Sequence, residues 1–487
     1  MKFNSWEFPI FFLIVWGVYL CLKRKPQNVW LLAASYFFYG WWDWRFCSLL
    51  AISTITDYIC AILLEKARQN KQDRQWVGEG VNWEKFILLF SVVANLGILG
   101  FFKYFNFFAD SFERLLASFG FQTDFVALNI ILPIGISFYT FQTMAYVIDV
   151  YRSREKACTN FIDFALYVAY FPLLVAGPIE RPGNLIPQFS KERKICPAQF
   201  YSGLQLIFWG TFKKVFIADG VAQYVNDCFA DPGRWDGPTL LMGAYLFALQ
   251  IYGDFSGYSD IARGVSKLFG IEPCPNFRQP YLSANITDFW RRWHISLSSW
   301  LRDYLYISLG GNRCGKIRTY INLMLTMLLG GLWHGAAWTF VIWGGLHGLY
   351  LAVHKAFTGK GVNTQETDKG RKMWIHTIVK LLCIFLTFNL VCFAWIFFRA
   401  DSLNDALIYI SRLGCIEGAR IDRFFALTFA VYMTIVILLD WSCERKKSET
   451  PVLPENAFLR GCIYGCALFL LVFIGSNNSD PFIYFQF

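Results

Sequence analysis

Charge is what this chain has little of. Asp, Glu, Lys and Arg make up 16% of its 487 residues, and apolar residues make up 55%, whereas soluble domains average about 25% charged. That deficit excludes an ordinary soluble enzyme, and the polar connections near 178–200, 357–373 and 442–456 are too short to fold alone. Paired cysteines are missing too. The fourteen cysteines are scattered, most of them inside apolar runs and none in a CxxC, so they read as small buried hydrophobes. No HExxH occurs, and the five histidines have no cysteine partners at zinc-ligand spacing. Gly-x-Ser-x-Gly is absent, and Gly253-Asp254-Phe255-Ser256-Gly257 has the wrong spacing for a nucleophile elbow. The Walker-like spacing of Gly310 to Lys316 fails at Ile317, where a Ser or Thr should hold magnesium. No Asp-x-Asp pair is there to hold a sugar-nucleotide metal. What survives these exclusions is histidine chemistry without a metal, in a lipid-embedded site.

Apolar stretches near the 17–25 residues that span a bilayer recur along the whole chain. They fall at about 8–22, 28–42, 46–64, 83–102, 127–150, 161–177, 201–219, 238–253, 319–333, 335–357, 374–398, 423–441 and 457–475. Gly and Pro break or shorten several, so the expectation is an all-α polytopic membrane protein with about eleven crossings plus re-entrant or interfacial helices. The first run ends in Lys23-Arg24-Lys25-Pro26 rather than at a small-residue cleavage site, so it is expected to be retained. The net charge of +10 sits at the ends of apolar runs, which is positive-inside retention rather than nucleic-acid binding. By that rule Lys23 to Lys25, the segment 65–75, Arg152, Arg154, Lys156, the segment 355–372 and Arg445 to Lys447 are cytoplasmic. Both chain ends then lie outside. A full crossing at 161–177 would put the basic loop 181–194 on the wrong side. Pro172, Pro178 and Pro182 suggest that this run dips in and returns instead.

A single transmembrane domain, 1–487, is expected, with a catalytic core at about 126–357 that holds nearly all the polar residues in apolar context. No 20–50-residue repeat and no matched pair of broken helices are present, which counts against an inverted-repeat transporter. Within the core, 273–318 does not read as a span. From 286 to 307 its apolar residues keep a helical period among many Arg and Trp. Two readings stand: an interfacial helix on anionic lipid, or a helix that lines an inward cavity and receives an anionic ligand through its guanidinium forks.

Among the histidines, His354 and His376 sit at polar span ends and are expected to be solvated or at headgroup level. His347 is expected to be packed, with a hydrogen bond to backbone. His334 stands in Gly330-Gly331-Leu332-Trp333-His334-Gly335, where an ionisable ring among Trp, Leu and Gly inside lipid is costly without a use. The flanking glycines allow a second backbone or a ligand to approach closely. His334 lies about 22 Å of helix beyond Arg318, past the bilayer midplane from the cytoplasm. His294 lies in the Arg-rich segment, at a different depth.

Three stretches resemble the membrane-bound O-acyltransferase family: Tyr252-Gly253-Asp254-Phe255-Ser256-Gly257-Tyr258-Ser259-Asp260, the run from Asp288 to Tyr304 centred on Arg291-Arg292-Trp293-His294, and Gly330 to Gly335. The run Tyr306-Ile307-Ser308-Leu309-Gly310-Gly311-Asn312-Arg313 and the closing Pro481-Phe482-Ile483-Tyr484-Phe485-Gln486-Phe487 are similar to its bacterial alginate O-acetylation subfamily. The resemblance implies tilted helices around a thin, funnelled centre with a tunnel. It implies acyl transfer from a cytoplasmic acyl-CoA, here acetyl-CoA, with catalytic histidine His334 and second polar position His294, and no metal. Arg291, Arg292, Arg302 and Arg313 are the candidates for the CoA phosphates. The implied acceptor is an extracytoplasmic polysaccharide such as alginate, peptidoglycan or cellulose. A separate periplasmic or surface-attached esterase-like transferase is the implied partner, and the bacterial inner membrane the location. The alternatives are D-alanyl or other acyl transfer from a carrier protein, and a proton-coupled transporter in which His334 relays protons.

Overall fold

The computed structural model of the chain divides into two compact units. It describes residues 1, 3, 5–73, 82–121, 130–358, 371–415, 423–475 and 482–483, and every regular element among them is helical.

The first unit comprises Met1–Leu204 and Ala262–Cys274. Its helices are α1 (Glu7–Cys21), α2 (Arg24–Asp43), α3 (Cys47–Asp73), α4 (Trp83–Ser118), α5 (Ile136–Tyr151), α6 (Phe161–Ala169), α7 (Phe171–Leu174) and α8 (Pro182–Ser190). α4 leaves Phe86, Leu89, Phe90 and Val93 exposed, an apolar surface that water would penalise and lipid tolerates. The run read as a dip at 161–177 is broken. Asn160 caps α6 by accepting the N–H groups of Ile162 and Asp163, and Pro172 sits at the start of α7. Nine residues of α6 cover about 13 Å, well short of a core of about 30 Å. Residues 163–180 are buried without exception, so the irregular backbone is covered by protein, as its unpaired groups require. Between α3 and α4 the buried Asp57 accepts from Ser91 Oγ (2.6 Å) and Asn95 Nδ2 (2.8 Å), which spares a carboxylate in an apolar setting from being left unsatisfied.

The second unit comprises Gln205–Ile261 and Pro275–Phe487. α9 (Pro197–Thr211) ends there and continues as the π-helical stretch Phe212–Ala218. Then follow α10 (Asp219–Ala230), α11 (Gly237–Leu268), α12 (Ile286–Arg292), α13 (Ile295–Trp300), α14 (Lys316–His334), α15 (Trp338–Thr358), α16 (Arg371–Arg399), α17 (Leu403–Arg412), α18 (Arg423–Lys446) and α19 (Ala457–Phe469).

Among the described residues, five stretches are long and apolar enough to cross a membrane: Arg24–Asn70, Trp83–Ser118, Thr377–Arg399, Arg423–Lys446 and Ala457–Ile474. The chain is therefore an all-α, multi-pass membrane protein. Other runs read as spans fall on shorter or more polar helices: α5 begins only at Ile136, and α11 carries Asp254 and Asp260.

One expectation is overturned. The segment 286–307 is not a continuous amphipathic helix but α12, a break, α13 and the π-helical turn Leu301–Tyr306. At the break His294 takes φ +42° and ψ 57°, a left-handed conformation uncommon outside glycine. The cause is competition for backbone donors. The N–H of Ile295 goes to the Asn276 carbonyl (2.9 Å) and that of Ser296 to Asn276 Oδ1 (3.2 Å), so they are not available to the helix.

Candidate active site

The site lies in the second unit and is built on the α14–α15 hairpin. α14 starts after Gly315 and ends at His334, a rise of about 27 Å at 1.5 Å per residue. The chain turns at Gly335 and runs back as α15. The glycines around His334 serve backbone approach. A Cβ on Gly331 would strike the Phe340 carbonyl oxygen, one on Gly335 the Phe340 ring, and one on Gly344 the Met327 carbonyl oxygen. Of the two uses open from sequence, the close approach of a second backbone is the one observed. The tight hairpin clamps the end of α14, and with it the His334 ring.

His334 is 4% exposed. Its ring meets Trp333 and Trp343, each at 5.0 Å between centroids, and Phe398 at 5.5 Å. His294 is 0% exposed, and its ring lies 6.2 Å from that of Trp333. The two histidines singled out from sequence are thus both brought against one indole, that of Trp333. Phe255 meets His294 edge-on at 4.6 Å, which leaves it in an apolar sheath.

Asn276 fixes the chemistry of His294. Its Oδ1 accepts from the Ser296 N–H (3.2 Å) and the Ser296 hydroxyl (2.9 Å), and it lies 3.1 Å from His294 Nδ1. A backbone N–H can only donate, so the atom facing it is the amide oxygen. His294 must therefore carry its proton on Nδ1, which makes Nε2 the lone-pair atom. His294 lies outside the membrane-spanning helices, and burial pushes its imidazole down to about 3, so it is neutral and basic at Nε2. In the sequence Asn276 is only one polar residue among many in 273–318. The left-handed turn that joins it to His294 leaves no sequence signal.

The four arginines do not gather at the histidines. Arg292 is held by Glu444 through two hydrogen bonds, the shorter 2.8 Å, and by Asp288 at 3.0 Å. Arg302 is exposed and pairs with its neighbour Asp303 at 2.7 Å. Arg291 and Arg313 are exposed. His354 Nδ1 lies 2.9 Å from Thr287 Oγ1, so the ring expected at a solvated span end is tied to α12. The side chain of His376 lies outside the described residues. His347 is 0% exposed, and neither ring nitrogen has a hydrogen-bond partner among the described residues. The backbone bond expected for it is not made.

Sequence reading missed a buried ion network beside the site. Lys214 Nζ lies 2.7 Å from both Asp219 Oδ1 and Asp254 Oδ1, and Lys213 Nζ lies 2.7 Å from Asp260 Oδ2. Both lysines belong to the π-helical stretch Phe212–Ala218, and such irregular turns recur at functional sites. Asp254 Oδ2 also accepts the N–H of Ile483 at 2.6 Å. Phe482 meanwhile packs on Tyr258 at 4.8 Å and on Phe255 at 5.8 Å. The chain's last described residues are thereby docked onto the ring that covers His294. Among the described residues no group of three or more His, Cys, Asp or Glu is placed to hold a metal.

The arrangement is two water-shielded imidazoles against one indole, one of them, His294, neutral with its tautomer locked: a setting for moving a proton on and off oxygen without admitting water. Comparison with known proteins places the chain among acyltransferases. Over its full length the chain is 39% identical to a protein named "Probable alginate O-acetylase AlgI" from Pseudomonas putida, the match covering 100% of both chains. It is 45% identical over 83% of its length to the protein of the same name from Pseudomonas aeruginosa, covering 73% of that protein. A "Peptidoglycan O-acetyltransferase" from Helicobacter pylori is 36% identical, over 86% of this chain and 81% of that protein. The model of the membrane-bound O-acyltransferase family, MBOAT, matches residues 31–397. The chain is an acyltransferase and belongs to the membrane-bound O-acyltransferase family.

Proposed function

We propose that this acyltransferase moves an acetyl group from acetyl-CoA on the cytoplasmic side to hydroxyls of an extracytoplasmic polysaccharide, with His334 and His294 as the catalytic pair. The observation that carries this reading is the pair of buried imidazoles on Trp333, one locked by Asn276. The names of the relatives, which acetylate alginate or peptidoglycan, support the acceptor class.

In this reading His334 takes the proton of the acceptor hydroxyl as its oxygen attacks the thioester carbonyl. The carbon–sulfur bond then breaks, and the departing CoA thiolate recovers the proton, so the histidine is regenerated. General-base help of this kind is worth about 10²–10⁴-fold. A neutral imidazole is required, and exclusion of water protects the thioester from hydrolysis. His294, with Nε2 as its lone-pair atom, orients the donor or shares the base role. Arg291, Arg302 and Arg313 remain candidates for the CoA phosphates. Arg292, held by two carboxylates, serves chiefly to tie α12 to α18.

The same reading takes 1–487 as one transmembrane domain with a catalytic core at about 126–357, in which about eleven crossings surround a tunnel open to both faces of the bacterial inner membrane. It also assigns the last transfer to an esterase-like partner outside the membrane. The test is release of free CoA from acetyl-CoA by the purified chain, together with acetyl-ester analysis of the cell's polysaccharides after deletion. Release that depends on His334, and loss of polysaccharide acetyl esters, are the expected results. Turnover unaffected by loss of both histidines refutes it.

A further inference from the structure

We propose that His347, with the indoles of Trp290 and Trp343, forms a subsite for the amide-bearing pantetheine arm of the acyl donor. This deepens the function proposed above and rests on it.

His347 lies two turns along α15 from the hairpin. Its ring centroid is 4.8 Å from that of Trp343 and 5.1 Å from that of Trp290, and the two indoles are 5.8 Å apart. Phe289 stacks on its face at 6.0 Å. All three rings of the triangle are buried, His347 completely. Both nitrogens of His347 and the Nε1 atoms of Trp290 and Trp343 have no hydrogen-bond partner among the described residues. Native structures rarely leave a buried polar atom unpaired, because such an atom has lost its water without gaining a partner.

The inventory of these atoms says what would satisfy them. A neutral imidazole offers one N–H and one lone pair, and each indole one N–H. The triangle therefore presents three donors and one acceptor. A hydrocarbon chain satisfies none of them. A thioester carbonyl or a phosphate accepts but cannot donate. A secondary amide does both: its oxygen accepts from two donors and its N–H donates to the imidazole lone pair. The donor class proposed for this enzyme carries two such amides between its phosphate and its sulfur, whether the arm hangs from CoA or from a carrier protein.

Position agrees with that assignment. Trp343 is the shared wall, since its ring also meets His334 at 5.0 Å. His347 lies about 13 Å from the start of α15, on the stretch that leads from His334 toward Lys355 and the basic segment read as cytoplasmic. An arm that enters from that end with its thioester at His334 passes its amides beside this triangle.

The experiment uses the full chain, purified in detergent, and three thioesters: acetyl-CoA, S-acetylpantetheine, which has both amides but no nucleotide, and S-acetyl-2-mercaptoethanol, which has neither. His347→Phe keeps the ring and removes both nitrogens. It is expected to raise KM about tenfold for the first two donors, with kcat within about threefold, and to leave KM for the third unchanged. His347→Gln, which restores a donor and an acceptor, is expected to recover part of the loss. Unchanged KM for acetyl-CoA, or an equal penalty on all three donors, overturns the assignment. An acetylated carrier protein run beside acetyl-CoA tells which source supplies the arm. Should wild-type enzyme turn over none of these thioesters, the proposed function fails on its own. Calorimetric binding of an acetyl-CoA analogue with sulfur replaced by methylene then decides the subsite. Binding weakened about tenfold by His347→Phe supports it, and equal binding, or none to wild type, overturns it.

Discussion

Replacing Asn276 with aspartate converts the tautomer lock on His294 into an ion pair, and the consequence is a pH profile that can be worked out beforehand. In the native chain burial holds His294 down at about 3, so its base form is fully present across the working range and contributes no acid limb. In Asn276→Asp the carboxylate keeps the Ser296 N–H and hydroxyl as donors, at 3.2 and 2.9 Å, which favour its ionised form. It stands where an amide oxygen now lies 3.1 Å from Nδ1. Two unit charges with centres about 4.5 Å apart attract by about 3.7 kcal/mol at an effective dielectric constant of about 20, equivalent to about 2.7 pH units. The imidazolium is the form stabilised, so the titration moves up, from about 3 to near 6. As pH falls through that value the base is lost, and above it the base is retained. The variant should therefore show an acid limb near pH 6 that wild-type enzyme lacks. Initial rates of CoA release from about pH 5 to 8.5, with Asn276→Ala beside it, make the comparison. Asn276→Ala removes the lock without adding charge, so its rate should fall at every pH with no new limb. A profile for Asn276→Asp that superimposes on wild type, or full activity in Asn276→Ala, refutes the argument that this amide governs His294.

His334→Ala should abolish acetyl transfer, by at least the roughly 10²–10⁴-fold of a general base, with membrane insertion retained. A folded variant with full transfer removes His334 from the chemistry. Gly335→Ala forces a methyl against the Phe340 ring and should cost about 1–3 kcal/mol of stability, read as a lower midpoint of thermal unfolding. Phe340→Leu on top of it should restore part of the loss, and a thermally unchanged Gly335→Ala sinks the close-approach argument. Arg292→Ala strands Glu444 and Asp288 and should lower stability while leaving KM for acetyl-CoA within about twofold. Adding Glu444→Gln should recover stability, whereas a tenfold rise in KM with unchanged stability would return Arg292 to the phosphates.

His334 was legible in sequence because its oddity is local: an ionisable ring flanked by Gly, Leu and Trp in an apolar run announces itself without any partner. What sequence concealed is what side chains do to one another across helices. The break at His294 is invisible in the helical period of 286–307, because it is caused by Asn276, 18 residues away, drawing off two backbone donors. The ion network shows the same physics in reverse. Lys213 and Lys214 fall inside the apolar run 201–219, and the run 238–253 stops short at Asp254, because a hydropathy reading charges each ionic group its full cost of leaving water. In the folded chain the cost is shared. α11 continues to Leu268 because Lys214 meets Asp254 and Lys213 meets Asp260, each at 2.7 Å. A charge that ends a span in sequence thus becomes, once its partner arrives from another helix, a reason for the two helices to stay together, since removing either member would leave the other buried and unpaired. By the same reasoning His347 is the informative exception. Every other described histidine whose side chain can be placed makes a hydrogen bond or belongs to the indole-centred pair, whereas His347 is fully buried with both nitrogens unmatched by any described protein atom. Trp290 and Trp343, whose rings meet that of His347, also leave their Nε1 atoms without a partner among the described residues, so the unmatched donors and acceptor are grouped at one place, where the amide arm proposed above would supply what the fold does not.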